Sequence, residues 1–309
     1  MTGTIHWGVN NIFTVQPEGG GPTLECRIKG KVLKDVEEVY NPLSPGDRVE
    51  VEPDAGHPGK DMILSRMPLK KDYSMWNKKR NQPQTLAANL DVLVLVTSPE
   101  SPPFRPRFLD RALVMAQRED LPTLILVNKC DQKLSAEAED RLATYQELDW
   151  DVHLCSTVTG EGIDELKEHL AGLTSALVGQ SGVGKSSLLN VLHAGSRQRI
   201  GELSAKYNRG NHTTNFSLFL PWADGEGGII DTPGVRELEV FGVQAPQLAF
   251  LYPDFAPYLG QCAFSVCTHL VEPGCAVLAA LEAGNIHPDR WENYQKHFLE
   301  LKESDQRWT

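Results

Sequence analysis

One octapeptide constrains the fold of this chain more than any other feature. Gly179-Gln180-Ser181-Gly182-Val183-Gly184-Lys185-Ser186 fits G-x-x-x-x-G-K-[ST] in full. It follows the apolar run Ser175–Val178 and opens a helical stretch at Ser187–Leu192, so it reads as the strand–loop–helix turn of an α/β sheet. The glycines let main-chain N–H groups curl around a phosphate, helped by the positive end of the following helix. Lys185 would bridge the β- and γ-phosphates, and Ser186, followed by Ser187, would offer a hydroxyl to Mg²⁺. A chance Gly-rich turn is the plain alternative, and the flanking strand and helix argue against it. The loop says nucleotide without saying which one.

The surrounding texture agrees with a layered sheet. Asp91–Val96 and Leu121–Val127 are continuous apolar runs, as in strands buried on both faces, and Leu109, Ala112, Leu113 and Ala116 keep helical spacing between them. Further strands are expected at Val152–Cys155, Phe216–Leu220 and Gly228–Ile230. Residues 1–72 differ: short strands at Gly3–Val9, Ile12–Gln16, Leu24–Lys29, Arg48–Glu52 and Asp61–Arg66 are punctuated by Gly and Pro. That pattern suggests a small antiparallel barrel, with a β-sandwich or an SH3-like barrel fitting nearly as well. Residues 73–88 read as a linker, 89–242 as the α/β domain, and 243–309 as a small helical domain with helices near Gln247–Leu251, Cys275–Ala283 and Asp289–Lys302.

Asn128-Lys129-Cys130-Asp131 directly follows a buried strand and resembles the N-K-x-D guanine motif of GTPases. Asp131 would accept hydrogen bonds from guanine N1–H and the 2-amino group, which adenine cannot supply. Asn128 would brace the loop and the Lys129 stem would cover the ring. Ser156-Thr157 after the next strand resembles the companion base loop, where Thr157 replaces the usual alanine. Asp231-Thr232-Pro233-Gly234 resembles a second switch: Asp231 would hold Mg²⁺ through water, and the Gly234 N–H would sense the γ-phosphate. Gly210-Asn211-His212-Thr213-Thr214 resembles a first switch, Thr213 or Thr214 completing the Mg²⁺ shell with Ser186. Val235 stands where many GTPases carry the glutamine that orients the attacking water, which makes His212 the candidate catalytic residue.

The motifs run in an unusual order, the base-reading loops coming before the phosphate loop. Joining the old termini and opening the chain after the second switch gives this circularly permuted order without disturbing the sheet. The second switch then leads directly into the C-terminal region.

Three of the six cysteines crowd together. Cys262-x₄-Cys267-x-His269-x₅-Cys275 is a Cys₃His set suited to one structural, tetrahedral Zn²⁺. The net charge of −11 counts against indiscriminate attraction to nucleic acid, DNA included. Residues 1–89 hold 12 Lys+Arg against 11 Asp+Glu, so any RNA contact is expected in this part. Lys70, Lys71, Lys78, Lys79 and Arg80 with Tyr73 and Trp76 form a candidate RNA patch, a solvated linker being the alternative. The sequence shows no signal-peptide pattern and no apolar run of membrane-spanning length, so a cytoplasmic monomer with no membrane partner is expected.

Together these features resemble the ribosome small-subunit-dependent GTPase A (RsgA) family. The resemblance implies an OB-fold N-terminal β-barrel, an α/β P-loop GTPase domain in circularly permuted order and a small helical zinc-binding C-terminal domain. It further implies GTP/GDP, Mg²⁺ and Zn²⁺ as cofactors, the small ribosomal subunit and its rRNA as partner, and subunit-stimulated hydrolysis in late maturation of that subunit. Asn211 departs from the basic residue that many relatives carry there. A GTP-regulated RNA-binding adaptor with negligible hydrolysis is the alternative from another class. A P-loop small-molecule kinase is disfavoured by N-K-x-D beside D-T-P-G.

Overall fold

In the N-terminal strands every second side chain is apolar, and these side chains meet inside a barrel. The computed structural model describes residues 1–9, 11–29, 42–54, 60–193, 216–223 and 225–307. Strands β1 (Thr2–Val9), β2 (Ile12–Pro17), β3 (Leu24–Ile28), β4 (Arg48–Pro53) and β5 (Asp61–Arg66) close in the order β1-β2-β3-β5-β4. β4 returns to pair with β1, and β3 runs parallel to β5, which gives the OB-type barrel and excludes the sandwich. Ile5, Phe13, Val15, Cys26, Val49, Val51 and Ile63 fill it. A bulge between Ile5 and Trp7 shifts the register, and Trp7 joins the apolar core of the neighbouring domain instead.

The barrel is seated through the turn before β4. Ala88 N donates to Pro45 O (2.9 Å), Ser44 Oγ to Thr85 O (3.0 Å) and Asn89 Nδ2 to Gly46 O (2.8 Å). Gly46 sits at φ +91°, where a Cβ would lie 2.2 Å from Ala88 O, so the close approach needs glycine. Asp47 in the same turn is 1% exposed, and its Oδ2 accepts from Ser44 N (2.7 Å). Burial pushes its carboxyl up to about 7, from an ordinary value of 3.8. A carboxyl that binds its proton more tightly when folded stabilises the fold below its unfolded pKa, and this contribution is lost as pH rises through about 7. Asp47→Asn is therefore expected to raise Tm relative to wild type at about pH 8 and to lose that advantage at about pH 4, as read by thermal melts across that range. An advantage independent of pH would contradict the assignment.

Residues 73–88 are not a linker. β6 (Asp72–Asn77) and β7 (Gln82–Ala88) form an antiparallel hairpin that buries Tyr73, Leu86 and Ala87 in the core of the α/β domain. A register shift between Tyr73 and Ser74 breaks the alternation that would have announced these strands. The aromatic half of the candidate RNA patch on this segment is corrected with it, while Lys70, Lys79 and Arg80 stay exposed. Tyr73 is fully buried and Trp76 lies against the Phe241 ring (centroids 5.7 Å apart). Lys71 donates to Asp120, and Lys78 is paired with Glu237 and Glu239 (2.9 Å each). Neither aromatic is a free stacking platform.

The central sheet has the order β10-β9-β8-β11-β13-β12. β8 (Val92–Thr97), β9 (Thr123–Asn128), β10 (Asp151–Cys155), β11 (Thr174–Gly179) and β13 (Gly228–Asp231) are parallel, and β12 (Leu218–Pro221) is antiparallel to β13. The continuous apolar run of β8 has a simple cause: Leu93 and Leu95 enter one core, while Val92, Val94 and Val96 enter the core on the opposite face. Helices α1 (Pro106–Arg118), α2 (Ala136–Glu147), α3 (Ile163–Leu170) and α4 (Lys185–Leu192) cover the sheet.

The C-terminal unit is helical. Two 3₁₀ segments (Ala245–Leu251 and Pro253–Tyr258) precede α5 (Ala276–Glu282) and α6 (Pro288–Arg307). Leu248, Tyr252, Phe255, Tyr294 and Phe298 form its core, which Val114 of α1 also enters. No helix among the described residues is long and apolar enough to cross a membrane.

Candidate nucleotide site and cysteine cluster

The parallel strands aim their carboxyl ends at one edge, and there the sequence motifs converge. Gly179 ends β11, Asn128 ends β9, Ser156 follows β10 and Asp231 ends β13. The phosphate loop is held from both sides. Asn128, fully buried, donates Nδ2 to Val183 O (2.8 Å). Gly184 at φ +99° leaves room for that amide, since a Cβ there would lie 2.2 Å from Asn128 Nδ2. Lys129, at φ +65°, donates Nζ to Gly182 O (2.7 Å) and to Ser101 O. Asp131 is exposed and accepts from the buried Ser156 Oγ, which itself accepts from Val158 N and Thr159 N (3.2 Å each). Cys130 N donates to Cys155 O (3.0 Å), so the two base loops are one hydrogen-bonded unit, with Thr157 half-buried beside it.

At the other end of the loop Lys185 is 7% exposed and donates Nζ to Gly179 O (2.7 Å) and Gln180 O (3.1 Å). Burial pulls its ammonium down, partly offset by Asp231. Burial pushes the Asp231 carboxyl up to about 6, partly offset by Lys185, and Asp231 Oδ1 is buried with no hydrogen-bond partner. Ser186 and Ser187 are exposed on the first turn of α4. The D-T-P-G turn is pinned by Thr232 Oγ1 donating to Leu177 O (2.6 Å). Gly234 presses on the phosphate loop: a Cβ there would be 3.1 Å from Ser181 Cα. Val235 is buried, its N–H donating to Gly179 O (3.2 Å). Asn211, His212, Thr213 and Thr214 lie outside the described residues.

The Cys₃His set also converges. One ligand atom from each of Cys262, Cys267, His269 and Cys275 lies within 4.8 Å of the others. Cys262 Sγ is 3.6 Å from His269 Nδ1 and 3.9 Å from Cys275 Sγ, which is 3.4 Å from His269 Nδ1. A tetrahedron of ~2.3 Å Zn–S bonds has edges of about 3.8 Å, so the spacing fits zinc. His269 takes φ +59°, and its carbonyl accepts from Trp291 Nε1 (3.0 Å). Burial pulls the imidazole pKa down, favouring the neutral form that ligates metal.

The model of the RsgA GTPase family matches residues 69–241. The chain belongs to the RsgA GTPase family. It is 40% identical over 283 residues to the small ribosomal subunit biogenesis GTPase RsgA of Chlorobaculum parvum, covering 89% of this chain and 90% of the relative. The Borreliella burgdorferi relative of the same name is 35% identical, over 96% of this chain and 95% of that one. Among solved structures, YjeQ from Thermotoga maritima superposes with a TM-score of 0.70 at 32% identity, over 97% of this chain and 98% of the other. YloQ, a circularly permuted GTPase, gives 0.69 at 24% identity and covers 98% of this chain and 95% of its own, a likeness of fold. As an RsgA-family GTPase the chain binds guanine nucleotide and hydrolyses GTP.

What sequence reading missed in this RsgA-family chain is the attachment of its C-terminal unit. Asp110 on α1 is 1% exposed and accepts from Arg141 Nη2 (2.6 Å), Tyr145 OH (2.9 Å), Arg290 Nη1 (2.8 Å) and Asn293 Nδ2 (2.6 Å). Arg290 is 2% exposed and also forks onto Asp254 (2.6 and 2.8 Å). Arg111, next to Asp110 on α1, donates to Leu238 O (2.5 Å), and Arg118 donates to Phe241 O (2.7 Å). The segment after the D-T-P-G turn is thus strapped to α1 before it enters the C-terminal unit. The β8–α1 loop was missed as well, although its Ser101 carbonyl meets Lys129. No local pattern in that loop points at a nucleotide.

Proposed function

We propose that this chain is a GTP hydrolase of small ribosomal subunit biogenesis, acting late in maturation and stimulated by the subunit. The Asn128–Val183 hydrogen bond carries the nucleotide part: it ties the base-reading loop to the phosphate loop, so that one GTP reaches both. The names of relatives matching about nine-tenths of the chain support the ribosomal part.

In this reading Asp131 accepts from guanine N1–H and the 2-amino group, the Lys129 stem lies on the ring, and the main-chain N–H of Thr157 closes the base pocket beside Ser156. The N–H groups of Gly179–Gly184 cradle the β-phosphate and Lys185 neutralises its oxygens. Ser186, Asp231 and Thr213 or Thr214 would hold Mg²⁺, which when bound neutralises charge on the β- and γ-oxygens. The buried, unpartnered Oδ1 of Asp231 fits such an ion's water shell. Val235 offers water no hydrogen bond and is committed to the core, leaving the water to His212. His212→Ala is expected to cut subunit-stimulated kcat by about 10²-fold or more with GDP affinity unchanged. Equal turnover of variant and wild type would remove His212 from the mechanism.

Cys262, Cys267, His269 and Cys275 would hold one closed, structural Zn²⁺. Chelation is expected to release about one zinc per chain and unfold the C-terminal unit, seen as lost near-ultraviolet signal from Tyr252, Tyr294 and Trp291. An unchanged spectrum with no zinc by metal analysis would refute the site. The ribosomal assignment is tested by depleting the protein in its own cells. Free subunits and precursor small-subunit rRNA should accumulate, and a normal ribosome profile would contradict it.

A further inference from the structure

The lysine of the base-reading motif is held by more than its own loop. Lys129 Nζ donates to two main-chain carbonyls, Gly182 O (2.7 Å) of the phosphate loop and Ser101 O of the loop between β8 and α1. The Lys129 backbone is fixed at φ +65°, which leaves the two carbonyls to set the path of its flexible stem.

The β8–α1 loop has few backbone donors with which to hold Ser101. In Ser98-Pro99-Glu100-Ser101-Pro102-Pro103 three of the six residues are proline, which has no N–H to donate. A side chain closes the turn instead: Ser98, fully buried, donates Oγ to Pro102 O (2.8 Å). Beside it Phe104 N donates to Pro99 O (3.2 Å), and Phe104 packs against the core on that side of the sheet. Ser98 directly follows β8, whose last residue Thr97 pairs in register with Val127, the neighbour of Asn128. Pro102 in turn lies against the phosphate loop, since a Cβ on Gly182 would be 3.5 Å from its Cδ. One buried hydroxyl therefore fixes the residue next to Ser101, between the phosphate loop and the strand that leads into N-K-x-D.

We propose that Ser98 is a positioning residue for guanine binding. Its hydroxyl sets the Ser101 carbonyl, which together with Gly182 O holds the Lys129 stem where the purine ring will lie. A lysine ordered before the nucleotide arrives loses less side-chain freedom on binding, so the gain falls on affinity and not on the chemical step. This role rests on the placement of Lys129 over the ring in the functional reading above.

The full chain is compared as wild type, Ser98→Ala, Lys129→Met and the double variant, by GDP titration and GTP turnover. Lys129→Met keeps an apolar stem and removes the ammonium that the two carbonyls hold. Ser98→Ala should weaken GDP binding by about 5-fold and raise KM for GTP by a similar factor, with kcat within about 2-fold of wild type. In the Lys129→Met background the same change should weaken GDP no further, because the group it positions is gone. An equal loss in both backgrounds would mark a merely structural hydroxyl and overturn the proposal. Unchanged GDP affinity of Ser98→Ala would do the same. Wild-type GDP affinity of Lys129→Met alone would overturn the placement of Lys129 on the ring, and the role of Ser98 with it.

Discussion

Asp131→Asn is expected to lower GTP affinity by about 10²- to 10⁴-fold while leaving the fold intact. Two hydrogen bonds from guanine to a carboxylate contribute ~1.5–3 kcal/mol each, and an amide turned toward two donors loses at least one of them. Asn keeps an oxygen for the Ser156 hydroxyl, so the junction of the two base loops survives. The variant should prefer xanthosine nucleotides, whose C2 carbonyl accepts where guanine donates. Titration with GDP, XDP and ADP reads the effect directly. Unchanged GDP affinity would take Asp131 out of the base pocket.

The second large effect lies far from the nucleotide. Arg290→Ala is expected to destabilise the C-terminal unit by ~3–5 kcal/mol, because it strands the buried carboxylate of Asp254 and takes one of two cations from Asp110, which keeps Arg141. Replacing Arg290 together with Asp254 by apolar residues of similar volume should recover much of that loss, since Asp110 keeps Arg141 and no buried charge is then left without a partner. Denaturant melts of the single and double variants separate the two. A single variant as stable as wild type would show that the network is not what holds the C-terminal unit to α1. If the strap transmits nucleotide state, loosening it should also uncouple turnover from whatever the C-terminal unit binds.

These two sites differ in how legible they were. The phosphate loop could be read from residues alone because its backbone geometry demands them: Gly184 must sit at positive φ and leave space for the Asn128 amide. The Cys₃His set was legible for a similar reason, few other arrangements explaining three thiols and an imidazole so close in sequence. The buried network was not. Asp110 and Arg290 are 180 positions apart, and charged residues on helices ordinarily read as solvated faces. The hairpin of β6 and β7 reads as a linker in sequence because its polar residues and its register shift hide the alternation. The choice of an OB-type barrel over a sandwich rested on the β1–β4 closure and the parallel β3–β5 pair, which no local pattern encodes. The stacking aromatics of the candidate RNA patch failed on the same ground: burial of Tyr73 and packing of Trp76 on Phe241 are tertiary facts.

The permuted order acquires a physical meaning from this geometry. The D-T-P-G turn touches the phosphate loop through Gly234, and the chain leaving it is gripped by Arg111 and Arg118 within a few residues. Movement at the γ-phosphate would therefore reach α1 and the C-terminal unit together.

The most direct test of the central claim is steady-state GTP turnover by the purified chain, with and without purified small ribosomal subunits. The account predicts slow turnover alone and a rise of at least about 10-fold on adding subunits, with ATP neither hydrolysed nor competing. No GTP turnover under either condition, or equal use of ATP, would contradict it.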